Sequence, residues 1–216
     1  MVSPFASIPD KVYGLGTAGI EVLALIACIL IAILSYRCYT TLKQKKFFYF
    51  SLAFFFIAVS FVARITSHLS LYVLNIQGNT LKPLLYLSFG SWFYIILTLL
   101  GYLIMLVVVS KSITRRAVLL TFCLSIVGVI LSTNSFEVFH LISLIILSFL
   151  VLHQIENYFK KRRISSLFII GGFSLIALGH LLFGAVLVLG LEYVYYIVAH
   201  VTQIGGYSAL LLAMRF

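Results

Sequence analysis

Eight ionisable side chains stand inside the long apolar runs of this sequence: Glu21, Arg64, His68, Glu137, His140, His153, His180 and His200. Imidazoles and carboxylates ligate transition metals, hold haem iron or pass protons, and an arginine among them can balance an anionic group. In hydrocarbon each such group costs free energy unless it is paired or functional. No HxxxH or HExxH spacing ties them together along the chain, so their chemistry depends on which elements bring them to one place.

Those elements are helices in a membrane. Of 216 residues 63% are hydrophobic and only 9% are charged, a composition whose solvent is lipid. Every backbone polar group must then be satisfied internally, and the apolar runs lack the period of two of a membrane barrel, so the expected fold is all-α. About 20 apolar residues cross roughly 30 Å of hydrocarbon. Seven such runs are expected at 14–36, 47–72, 84–110, 117–132, 135–158, 164–189 and 191–214, in one transmembrane domain over 1–216. The fourth is the shortest, with Thr133-Asn134 as a tight break after it, and Pro83 suits the first turn of the third.

The formal charge of +10 is a topology signal. All but Lys11, Arg64 and Lys82 of the fifteen Lys and Arg fall at 37–46, 111–116, 160–163 and Arg215, in alternate connections. The positive-inside rule places these in the cytoplasm, which gives an outside N-terminus, a cytoplasmic C-terminus and a multi-pass protein of the cell membrane. The same residues face anionic lipid, and no soluble domain carries a basic face for nucleic acid. Cys28, Cys38 and Cys123 lack paired or zinc-site spacing and read as small core residues. The first 13 residues have no basic n-region, so the first run is expected to remain as a span.

Depth and helical phase gather the polar residues. At about 1.5 Å per residue, Glu21, Arg64, His180 and His200 lie roughly 5–7 Å outside the midplane, and His68, Glu137 and His140 roughly 10–14 Å. His153 falls on the cytoplasmic side, beside Gln154, Glu156 and Lys160, and reads as interfacial. Residues three, four and seven apart share a helix face. Such faces are Thr17, Glu21, Ala24, Cys28 and Ser35; Arg64, His68, Tyr72 and Asn75; Glu137, His140 and Gln154; and Tyr193, Tyr196, His200, Gln203 and Tyr207. Gly179 and Gly184 flank His180 and leave room for a backbone or a flat ligand.

Three chemistries suit this set. The first expectation is haem b for electron transfer, one of His180 and His200 pairing with His68 or His140 across the bundle, Arg64 meeting a propionate and a quinone at the outer Tyr and Gln stripe. The second is a single zinc, iron or copper ion held by His68, His140, His180, His200, Glu21 or Glu137, with an enzymatic role if one coordination position stays open. The third is a metal-free sensor, receptor or transporter in which Arg64 binds an anion and the histidines titrate, a sensor acting through a partner membrane protein. Glu21 and Arg64, at similar depth, also suit a plain buried salt bridge.

Seven spans in this orientation resemble the microbial rhodopsins, but the seventh carries no lysine for a retinal Schiff base. The alkaline ceramidase and adiponectin receptor group has seven spans and a histidine-bound zinc, yet its seventh-span histidine pair is reduced here to His200. Ser35-Tyr36-Arg37, the run from Phe47 to Ser60, Gly179-His180 and the series His200, Gln203, Gly206, Tyr207 resemble uncharacterised archaeal seven-span membrane proteins over nearly the whole chain. That resemblance implies the fold and no activity.

Overall fold

A computed structural model describes residues 10–76, 81–109, 115–132, 135–190 and 193–214. Thr133-Asn134, Lys111, Arg215 and the side chains of Lys11, Thr17, Tyr72, Asn75, Lys82, Arg115, Arg116, Lys161 and Tyr193 lie outside what it describes. The described residues form seven helices and no strand: α1 (Asp10–Leu42), α2 (Lys45–Ile76), α3 (Leu81–Val109), α4 (Arg115–Leu131), α5 (Ser135–Lys161), α6 (Ile164–Leu189) and α7 (Tyr193–Ala213). Six are long and apolar enough to cross a membrane, while α4 is apolar only over Leu120–Leu131. The helices outrun the expected spans at several ends because the helical ladder continues past the last apolar residue, as where α1 reaches Leu42. With α3 starting at Leu81, Pro83 falls in its first turn, where its missing N–H breaks no ladder bond.

Neighbouring helices close a ring in the order α1, α2, α3, α5, α6, α7 and back to α1, with α4 outside it against α3 and α5. Two of the basic connections are very short. Lys43 and Arg162 take left-handed backbone angles (φ 55° and 46°) and return their N–H groups to Tyr39 O and Tyr158 O at 2.8 and 2.7 Å. A left-handed residue after the last turn is a standard helix stop, and a cation there also meets the negative end of the helix dipole. Gly190 (φ 63°) ends α6 in the same way.

The ring turns apolar side chains outward and keeps its polar ones inside. Leu23, Ile26, Leu30 and Ile33 of α1 and Val194, Val198 and Val201 of α7 are exposed, whereas Glu21, Ser35, Ser60, Arg64, Thr98, His140, His180, His200 and Gln203 are buried. Lipid tails provide no hydrophobic drive between helices, so close approach and interhelical hydrogen bonds hold them together. Thr98 Oγ1 donates to Ser60 Oγ (2.9 Å) between α3 and α2, and Ser51 Oγ to Ala32 O (2.8 Å) between α2 and α1. Between α6 and α7 the approach depends on glycine: a methyl on Gly172 would meet Gly206 O at 2.9 Å, and one on Gly206 would meet Gly172 O at 2.7 Å.

Candidate functional site

Inside the ring the polar side chains fall into two lobes. The first is charged and joins α1, α2, α3 and α7. Glu21, with no exposed surface, stands in a face of small buried residues, Ala24, Cys28 and Ser35, which lets α1 pack close. Its Oε1 forms an ion pair with Arg64, 2.8 Å from Nε, and lies 3.5 Å from His68 Nε2. Arg64 also donates through Nη2 to the Tyr196 hydroxyl (2.6 Å), and its guanidinium lies over the Tyr94 ring, 4.5 Å from the centroid. A planar cation can use its fork and its face at once, which a lysine cannot. The expectation that Glu21 and Arg64 form a buried salt bridge thus agrees with the geometry.

The second lobe joins α3, α5 and α6 without a formal charge. His140 Nδ1 and His180 Nδ1 are 2.9 Å apart, and His180 Nε2 is 2.9 Å from the Tyr102 hydroxyl. A neutral imidazole has one donor and one acceptor nitrogen, so this series has two self-consistent settings. In one, Tyr102 donates to His180 Nε2 and His180 Nδ1–H donates to His140 Nδ1. In the other, His140 Nδ1–H donates to His180 Nδ1 and His180 Nε2–H donates to Tyr102.

Aromatic rings wall the lobes apart. Phe183 stacks on His140 (centroids 5.0 Å, 23°) and presents edge contacts to His200 (4.7 Å) and Tyr196 (5.0 Å). Phe139 meets His180 (5.5 Å, 76°) and Tyr94 (5.4 Å, 67°). On α7 His200 packs on Tyr196, one turn before it, and Gln203 fills the notch at Gly179, where a methyl would run into its side chain and meet Ala199 O at 3.1 Å. Gly184, by contrast, faces open space. Glu21 Oε2, His200 Nε2 and Gln203 Nε2 are buried polar atoms to which the structure assigns no hydrogen bond.

The structure therefore brings Glu21, Arg64 and His68 into one group and His140 and His180 into another, with His200 against the ring between them. Glu137 is half-buried in the first turn of α5, one turn before His140, a favourable place for a carboxylate beside a helix N-terminus. His153 stands apart near the basic end, 3.8 Å from Glu156 and partly exposed. Cys28 is buried, whereas Cys123 faces outward from α4, because α4 turns most of its surface away from the ring. Tyr94 and Tyr102 contact the two polar groups, although reading for residues that are charged or titrate near neutral pH passes over them; their signal is the four-residue spacing Tyr94, Thr98, Tyr102 on one buried face of α3.

Among the described residues no group of three or more His, Cys, Asp and Glu side chains is arranged to hold a metal ion. A haem between two imidazoles needs its histidines on facing helices separated by the thickness of the ring system, but the His140 and His180 rings are in contact at 5.1 Å and Phe183 fills the space between His140 and His200. Neither of these two pairs takes that group without displacing these rings. Comparison with protein-family models, curated proteins and solved structures finds no match to the chain.

Proposed function

We propose that this protein is a seven-span transporter of the cell membrane, with its N-terminus outside, whose buried polar interior moves protons. The observation that carries the reading is the series from Tyr102 to His180 to His140, hydrogen-bonded across three helices at 2.9 Å per step. A proton arriving on the Tyr102 oxygen allows Tyr102 to pass its own proton to His180 Nε2, His180 to pass its Nδ1 proton to His140 Nδ1, and His140 to release one from Nε2. One proton enters, one leaves, and the series ends in its other setting. Phe139 and Phe183 keep the path dry, and the Glu21–Arg64 pair supplies fixed charge beside it without occupying it.

Reconstitution into liposomes with an entrapped pH-sensitive dye tests the proposal under an imposed potassium diffusion potential. Wild-type vesicles acidify or alkalinise with the sign of the potential, and Tyr102→Phe, which removes the transferable proton and keeps the ring, slows this about tenfold or more. Equal rates in wild type, Tyr102→Phe and empty vesicles would end the transporter reading.

A second reading has its own observation. Two Nδ1 atoms converge, the far nitrogen of His180 is held by Tyr102, and Glu137 stands in the Glu-x-x-His spacing that helix-borne metal sites use. A zinc, iron or copper ion at His140 and His180 would take such a second-shell bond. Elemental analysis of purified protein, with an absorption spectrum before and after reduction, decides it: a stoichiometric metal lost in His140→Ala supports the ion, and sharp reduced bands would support haem b, the reading this arrangement favours least.

A further inference from the structure

At the opposite, basic end of the bundle, α1 and α2 leave a groove of about 370 Å3 between them, lined by Ala32, Ile33, Tyr36, Arg37, Ser51 and Phe55 among others. Its walls are graded along the membrane normal. Ile33 and Phe55, both exposed, lie on the side toward the middle of the helices, and Tyr36, Arg37 and Phe48 lie toward the end where Lys43 stands in the connection and Lys45 and Lys46 begin α2. The floor is fixed, because Ser51 Oγ donates to Ala32 O at 2.8 Å and holds the helices at one separation. Tyr36, Tyr39 and Phe48 form a continuous aromatic edge (centroids 6.0 and 5.4 Å), at the level where aromatic rings meet lipid headgroups.

We propose that this groove binds one anionic phospholipid, its acyl chain along Ile33 and Phe55 and its phosphate on Arg37. The shape alone would suit any apolar chain. Charge complementarity selects the occupant: an apolar trough that ends in a guanidinium, with Lys43 in the connection and Lys45 and Lys46 at the start of α2, matches an amphiphile whose tail and anionic head have the same order along the normal. Because the site lies away from the histidines, it stands or falls independently of proton transport.

The test is native mass spectrometry of the detergent-purified protein with equimolar phosphatidylglycerol and phosphatidylcholine of identical acyl chains. Wild type retains phosphatidylglycerol preferentially. Arg37→Gln lowers that retention about fivefold, the worth of one basic residue at a membrane surface, while Lys45→Gln, outside the lined groove, changes it less than twofold. Ile33→Trp, an outward substitution that fills the trough, lowers retention of both lipids, and its unchanged melting temperature excludes misfolding. Equal losses in Arg37→Gln and Lys45→Gln would overturn the site in favour of diffuse surface attraction. Displacement of the lipid by glycerol phosphate at similar concentration would overturn the role of the tail.

Discussion

On the α1, α2 and α7 side of the interior, Glu21, Arg64 and His68 form a lobe built on formal charge; on the α3, α5 and α6 side, Tyr102, His180 and His140 form one in which every bond joins groups that can be neutral. The lobes are separated by little more than Phe139 and Phe183. They answer the same constraint, the cost of polar atoms in hydrocarbon, in opposite ways. A charge pair in a medium of low polarity has one good arrangement and a steep penalty for any other. A series of neutral donors and acceptors has two arrangements of similar energy and can pass between them, so the charged lobe suits a fixed strut and the neutral lobe a relay.

The largest expected effect breaks the strut. Arg64→Met leaves Glu21 buried without its cation and is expected to cost about 3–5 kcal/mol, read as a fall in unfolding midpoint in one detergent. Glu21→Leu with Arg64→Met removes both charges, and the double variant should be more stable than Arg64→Met alone. If the two losses simply add, the pair is not coupled and the contrast between the lobes fails.

A smaller effect tests what holds α6 to α7 beside His200. Gly179→Ala pushes a methyl into the Gln203 side chain and against Ala199 O, and should destabilise by about 1–3 kcal/mol. Gly184→Ala, five residues further along the same helix and facing open space, should be neutral or stabilise by up to about 1 kcal/mol. Equal melting temperatures for the two would mean that α6 and α7 do not approach as closely as the glycine notch requires.

In the neutral lobe Tyr102→Phe leaves His180 Nε2 buried without its hydroxyl, a loss of about 1–2 kcal/mol. The variant should remain folded while its proton flux falls, the combination that separates a relay from a strut. Flux that survives alongside lost stability would make Tyr102 a structural tyrosine.

The helical class and the inward polar faces were legible because hydropathy and the 3.6-residue period are local properties. The α7 face of Tyr196, His200, Gln203 and Tyr207 is buried as its spacing implies, and so is the α1 face of Glu21, Ala24, Cys28 and Ser35. What could not be read is which helix meets which. Arg64 and His180 lie at similar depth, yet they belong to separate lobes because α5 and not α4 follows α3 around the ring, and this placement depends on packing between residues far apart in sequence. The same topology hides the His140–His180 bond from any spacing rule. Gly179 and Gly184 look equivalent around His180 in the sequence, but 100° per residue carries one toward α7 and the other away from it.

The smallest effect is expected at another acid–base pair, where water is near. His153 and Glu156 sit one turn apart on α5 at 3.8 Å, with side chains 33% and 67% exposed, against 9% and 0% for Arg64 and Glu21. Solvent screening and side-chain entropy leave such a pair about 0–0.5 kcal/mol of net stability, so His153→Gln should move the unfolding midpoint by no more than a degree or two and leave proton flux unchanged. A loss comparable to that of Arg64→Met would show that this end of α5 is dry, and the exposure of the two pairs would no longer set them apart.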